Sequence, residues 1–270
     1  MYTSVNGLKA FAYTGARAAV PGQPGIVFVH GSGLDHTVWT MQARYFAHHG
    51  YNVYAVDLPG RGRSSGEPLP TIRAYADWIA EFCEAAAVGS AIIVGHSMGS
   101  LVALETAATH PNRFHALALV GTAVPMGVAD VLQDAADAND PTAFDMITIW
   151  GHSMAAQVGG GPHAPGVSLT GTSVRLLERA GPGVLGNDLR CCNSYTNGAD
   201  SAATVTQPTL LLLGQLDLMT PPRAAKSLHE ALTNVDRQVI DACGHMLMAE
   251  QPDAVLDALI AFIASNHPSA

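Results

Sequence analysis

Positive charge is scarce in this chain. Thirteen Lys and Arg stand against 22 Asp and Glu, a net charge of −9 with His neutral. No basic stripe is present to neutralise phosphates, which argues against nucleic-acid binding and against electrostatic attachment to anionic membranes. The acidic excess is too dilute to name a partner, and solubility accounts for it. Charged residues make up 13% of the chain and hydrophobic ones 48%, so the composition of a disordered protein is excluded. Cysteine is rare too: Cys83, Cys191, Cys192 and Cys243. The adjacent pair is poorly placed to bridge to itself, and no cysteine has metal-ligand spacing. Reduced thiols and a cytoplasmic location are expected, with no metal. The opening MYTSVNGLKA lacks a basic segment followed by an apolar run, so no signal peptide is expected. Residues 85–104 carry no ionisable residue except His96, but Gly89, Gly95, Ser97, Gly99 and Ser100 interrupt them. A buried strand, turn and helix is expected there in place of a membrane span.

What the chain does have is alternation. GIVFVH (25–30), NVYAVD (52–57), AIIVG (91–95), ALALVG (116–121), TLLLLG (209–214) and RQVIDA (237–242) are apolar on successive residues. Such runs suit strands covered on both faces of a parallel sheet. Helical patterns near 38–49, 71–87, 98–109, 222–232 and 252–264 lie between them. The series predicts an α/β fold with a doubly wound, mostly parallel sheet. Residues 2–14 could add one or two edge strands. The alternation stops over 124–206, where 128–138, 141–150, 172–180 and 184–197 read as helices and 157–166 as a flexible loop. The expected organisation is a core of residues 1–123 and 207–270 with a helical cap over 124–206. A long excursion with no lid role is the alternative.

Four short segments carry chemistry. Gly95-His96-Ser97-Met98-Gly99 follows an apolar strand and opens a helix. That context fits a nucleophile elbow, a sharp turn that lifts a serine hydroxyl clear of the sheet. A buried turn serine is the plain alternative. His30-Gly31-Ser32-Gly33 ends a strand, where a glycine-rich turn can aim backbone N–H groups at a developing oxyanion, or simply join strand to helix. Asp217 lies in the loop after a buried strand, placed to hold an imidazole or to cap a helix. His245 lies between the last strand and the last helix. Ser97, Asp217 and His245 therefore all fall at the C-terminal ends of strands, the edge where open α/β sheets bind ligands. Together they suit a serine activated by a histidine that an aspartate orients.

With these pieces the chain resembles the α/β-hydrolase superfamily, in particular Ser-nucleophile carboxylesterases with a helical cap. The matching residues are His30 to Gly33, Asp57 to Ser64, Gly95 to Gly99, Gly214 to Asp217, and Gly244-His245, spanning about 25–265. The resemblance implies that the backbone N–H groups of Met98 and Ser32 form the oxyanion hole, and that a cap follows the sixth strand. It implies hydrolysis of a small-molecule carboxylic ester, lactones included, through an acyl-enzyme on Ser97, with no cofactor. A homo-oligomer stays open. An Asp nucleophile, as in dehalogenases and epoxide hydrolases, is absent. The rival reading is C–C bond hydrolysis of meta-cleavage products. That branch tends to carry Asn before the nucleophile, Trp after the catalytic His and a cap Arg. Here the first two places hold His96 and Met246, and Arg190 is the candidate for the third. A small-ligand receptor on the same fold is the non-enzyme alternative.

Three segments mimic functional motifs. Gly151-His152-Ser153-Met154-Ala155 copies the elbow but lacks its second glycine and follows a helical pattern. Gly60-Arg61-Gly62-Arg63-Ser64-Ser65-Gly66 has its third glycine one place late for a dinucleotide loop. Cys243 neighbours His245 without an elbow. Leu34, Met98, Met126, Met146, Ile147, Met219, Met246 and Met248 are candidates for an apolar pocket, since methionine fills irregular apolar space. Ordinary core is the plain reading of most of them. An uncharged, apolar acyl group is expected.

Overall fold

A computed structural model of the chain describes residues 1–159 and 167–266. Eight strands form one sheet: β1 (Tyr2–Val5), β2 (Leu8–Tyr13), β3 (Gly25–Val29), β4 (Asn52–Asp57), β5 (Ala91–His96), β6 (Phe114–Val120), β7 (Thr209–Gly214) and β8 (Val235–Ile240). Their order is β1-β2-β4-β3-β5-β6-β7-β8. The β1–β2 and β2–β4 pairs are antiparallel, and all others are parallel. The weak pattern over 2–14 is thus two strands, with β1 at the sheet edge and β2 between it and β4.

Alternation within the central strands splits the core in two. Val27, Val29, Ile93, Leu117, Leu119 and Leu211 face α2 (Ile72–Ala85) and α3 (Met98–Thr109). Ile26, Phe28, Ile92, Val94, Ala118 and Leu210 face α1 (Thr40–His48) and α12 (Pro252–Ser265). Side chains on a strand point alternately to its two faces, so a run that is apolar at every position fills both layers. The last strand departs from this. It begins two residues before the expected 237, and Asp236, Arg237 and Val239 are exposed. It closes the sheet edge, where charged side chains blunt further pairing.

Residues 85–104 divide into the end of α2, β5 and the start of α3. Among the described residues no helix is long and apolar enough to cross a membrane. Between β6 and β7 the described residues make six helices: α4 (Asp130–Asp137), α5 (Thr142–Gly151), α6 (Met154–Gln157), α7 (Leu169–Ala180), α8 (Val184–Ser194) and α9 (Gly198–Thr204). Two of these, α6 and α9, are short helices that the pattern of 124–206 does not announce. The expected loop over 157–166 lies mostly outside the described residues. After β7 come α10 (Lys226–Ala231) and, before α12, α11 (Leu247–Glu250).

Candidate active site

Ser97 sits between β5 and α3 with φ 52 and ψ −122, a left-handed backbone that a non-glycine residue rarely adopts. The turn is possible only because the residues two places away on each side, Gly95 and Gly99, have no side chain. A Cβ on Gly95 would run into the Gly99 carbonyl, and one on Gly99 would lie 2.5 Å from the carbonyl oxygens of Val29 and His30. The loop after β3 comes equally close. A Cβ on Gly31 would stand 3.0 Å from the Ser97 Cβ. Ser32 therefore lies beside the serine, and Met98, as the first residue of α3, has an N–H with no acceptor within the helix.

His245 is buried in the loop after β8, 28 residues beyond Asp217. Its Nδ1 donates to Asp217 Oδ2 at 2.8 Å, which leaves the lone pair on Nε2. Asp217 is held in turn. Its Oδ1 accepts the N–H groups of Met219 and Thr220, both at 2.8 Å, and its Oδ2 accepts the Thr220 hydroxyl at 2.7 Å. Burial alone would raise this carboxyl. The facing His245 and the Thr220 hydrogen bonds outweigh it and hold the pKa at about 2. His245 Nε2 is buried with no hydrogen-bond partner, so the bond from Ser97 is not made in this geometry. Such contacts are often long before substrate arrives.

Ser97 and His245 open onto one cavity of about 220 Å³. Leu34, Met126, Ile147, Met219 and Met246 line it with Ser32. Met146 does not. Successive helical residues point about 100° apart, and on α5 it is Ile147, Trp150 and Gly151 that face the cavity. Met146 is half-buried and packs on the core, and Met248 is fully in the core. Sequence patterning missed Trp150, His152, Ser173, Leu177, Leu189 and Cys192, all in the cavity wall and all from 124–206. Only the topology brings them there, so no local signal existed.

The mimics resolve structurally. Ser153 caps α6 and lies outside this cavity. Arg61 turns inward and forms a buried ion pair with Asp188 of α8. Cys243 is buried, and burial raises its thiol pKa. All four cysteines are free thiols. Arg190 is half-exposed, pairs with Asp137, and does not reach the cavity. Asp35, His36 and Asp57 do gather closely enough to hold an ion. Their oxygens are already engaged: Asp57 accepts the His36 Nδ1 and N–H and the Arg63 N–H, and Asp35 accepts Thr37 and Arg179. That donor set ties two loops together and offers a cation no free oxygen array.

Two further buried histidines flank the elbow. His30 donates from Nδ1 to the Gly31 carbonyl at 2.9 Å, and its Nε2 accepts the Leu58 N–H at 3.2 Å. His96 donates from Nε2 to the His245 carbonyl at 2.9 Å. Burial, then the Arg61 charge, lowers the His30 pKa to about 4. Burial, then His245, lowers that of His96 to about 3. Both fold neutral, and both would bind a proton near pH 6.5 once unfolded. Their contribution is therefore complete above pH 6.5 and lost as pH falls toward 4 and 3. Between pH 7.5 and 5 the two together should remove about 4 kcal/mol, or roughly 5–10 °C of Tm. Thermal melts across that range check this, and an unchanged Tm would contradict the neutral, buried assignment.

The sequence model described as "Alpha/beta hydrolase family" matches residues 26–258. A pimeloyl-[acyl-carrier protein] methyl ester esterase of Nitrosospira multiformis is 27% identical over 259 residues, covering 88% of this chain and 94% of that protein. Among solved structures, one described as a thermophilic esterase is 25% identical with a TM-score of 0.82, covering 99% of this chain and 98% of the other. The enol-lactonase from Burkholderia xenovorans LB400, 21% identical, superposes with a TM-score of 0.85 over 98% of this chain and 100% of its own. At that identity the likeness speaks for the fold alone.

Proposed function

We propose that this chain, which belongs to the alpha/beta hydrolase family, is a carboxylesterase-type hydrolase that cleaves small-molecule carboxylic esters through an acyl-enzyme on Ser97. One observation carries the reading: a strained serine shares an uncharged cavity with a histidine whose other nitrogen is held by a buried, ionised aspartate. The esterase relatives support ester hydrolysis as the chemistry.

In this mechanism His245 Nε2 takes the Ser97 proton as Oγ attacks the ester carbonyl. Asp217 fixes the tautomer and steadies the imidazolium that forms. The developing oxyanion sits against the N–H groups of Ser32 and Met98, where the positive end of α3 adds to the field. His245 then protonates the departing alcohol. Water, deprotonated by the same nitrogen, releases the acid. Every proton has a protein group to hold it, so the scheme needs no cofactor.

Residues 124–206 act as the cap in this reading. Five of their apolar or aromatic side chains, Met126, Ile147, Trp150, Leu177 and Leu189, wall the cavity and keep water out. A volume of about 220 Å³ lies below the roughly 300 Å³ at which drug-sized pockets begin. Short, neutral acyl groups should therefore be preferred. A series of p-nitrophenyl esters from acetate upward tests this, with mass spectrometry of the trapped acyl group on Ser97. A folded protein inert across the series would remove the ester reading and favour a ligand-binding role.

Cleavage of a C–C bond in an acidic diketone would need a cation for the substrate carboxylate. Arg190 already serves Asp137 at the surface, and no Arg or Lys is among the described residues of the cavity wall. Arg190→Ala should leave turnover of neutral esters within about threefold, since an exposed ion pair contributes under about 1 kcal/mol. Loss confined to acidic substrates in kcat/KM measurements would restore the C–C reading.

A further inference from the structure

One pair of polar side chains in the cavity wall has no task in the mechanism above. His152 follows α5, and Ser173 lies on α7; both are buried, and both line the cavity. The other polar side chains there are tied to the loops around Ser97, with only His96 Nδ1 and the His245 Nε2 of the mechanism left buried without a partner among the described residues. Thr220 serves Asp217, His96 serves the His245 loop, and Ser32 Oγ lies 3.8 Å from Cys192 Sγ.

Hydrogen-bond bookkeeping fixes what this pair presents. His152 Nδ1 lies 2.9 Å from the Thr148 carbonyl, which can only accept, so Nδ1 carries the proton. Burial lowers the pKa of this imidazole against the opposing pull of the Thr148 carbonyl and Glu250, so the ring is neutral. Nε2 is then a bare lone pair. Ser173 Oγ stands 3.2 Å from it, and its single proton is committed to that bond. The serine oxygen is left with lone pairs only. In a largely apolar wall, a desolvated acceptor of this kind favours a ligand that brings a donor.

The location is also defined. Leu177, one turn beyond Ser173 on α7, reaches to 2.8 Å from a Cβ at Gly33, in the loop that carries Ser32. The Gly151 carbonyl, just before His152, accepts the N–H groups of His245 and Met246 at 3.0 and 3.1 Å. The pair is thus bracketed by the two loops that flank Ser97.

Resting on the ester reading, we propose that His152 and Ser173 form a specificity subsite for esters that carry a hydroxyl or amide N–H near the scissile bond. The donor can sit on the acyl or the alcohol side, and matched probes separate the two. The acyl arm compares p-nitrophenyl 3-hydroxybutyrate with p-nitrophenyl butyrate. The alcohol arm compares 2-hydroxyethyl butyrate with ethyl butyrate. In one arm the wild-type kcat/KM ratio, hydroxylated over plain, should exceed one by about tenfold. Ser173→Ala should bring that ratio to about one. Ser173→Thr and Ser173→Val differ from each other in the hydroxyl alone; the first should keep the ratio and the second lose it, which guards against a packing effect. A wild-type ratio at or below one in both arms overturns the subsite while the ester reading stands. A ratio unmoved in Ser173→Ala and Ser173→Val overturns it as well. A folded wild type that turns over none of the four esters overturns the ester reading and the subsite together.

Discussion

Ser97→Ala is expected to lower ester turnover by roughly 10⁴-fold or more while leaving the fold intact. In the proposed mechanism Oγ is the atom that forms the acyl bond, and neither the aspartate nor the proposed oxyanion donors can replace it. The fold should not notice, because no hydrogen bond among the described residues uses this hydroxyl and the neighbouring packing is backbone against backbone. The strained φ persists in the alanine variant, so Tm should stay within a few degrees or rise slightly, as happens when a site built for reactivity is blunted. Ser153→Ala is the matched control. Its Oγ accepts the Ala156 N–H as the cap of α6, so its loss should cost about 1 kcal/mol of local stability and little activity. Steady-state kinetics and circular dichroism on both variants decide the matter. A dead Ser153→Ala beside an active Ser97→Ala would move the nucleophile.

Asp188→Ala should be the most destabilising single change outside the site, by about 3–5 kcal/mol. Its carboxylate is fully buried and pairs with Arg61 through both Nε and Nη2. Arg61 also donates to the Pro59 carbonyl at 2.6 Å and lies over the Tyr75 ring. Without Asp188 the guanidinium stays buried without its counter-charge, which a protein of ordinary stability can barely absorb. Asp188 has a second task. Its Oδ2 accepts the Gly33 N–H at 2.9 Å, next to Ser32 in the proposed oxyanion loop. The two tasks separate experimentally. An apolar pair, Arg61→Met with Asp188→Leu, should recover most of the lost stability, because apolar packing often replaces a buried ion pair at no net cost. It cannot replace the acceptor for Gly33, so kcat should stay low with KM less affected. Full recovery of kcat in the double variant would show that the carboxylate only stabilises.

Much of the fold is legible because its strands are covered on both faces, which makes each a run of apolar residues. β8 is misjudged for the opposite reason: at an edge, half its side chains meet water, and the apolar run marks its end rather than its span. The Ser97, Asp217 and His245 segments stand out because each combines a special turn with a fixed place after a strand. The cavity wall is far less legible. Ile147 and Met146 are adjacent and equally apolar, and only the rotation of α5 decides which one faces the cavity. Arg61 and Asp188 are 127 residues apart, so neither hints at the other. His152 and Ser173 belong to a segment that resembles an elbow and to an ordinary amphipathic helix. Their relation exists only once two helices pack.

The Gly151 carbonyl, bonded to the backbone of His245 and Met246, bears on how such enzymes are recombined. A cap hung on the core by flexible joints could be exchanged between relatives as a module that carries substrate preference and nothing else. Here the end of α5, within the segment proposed as the cap, is a structural member of the His245 loop itself. A chimera that imports a foreign segment over 124–206 inherits a new pocket but forfeits that strut, and His245, the proposed general base, is set adrift. Grafts that cut inside the segment, keeping 148–153 with the recipient, preserve the imidazole and let the remaining helices vary.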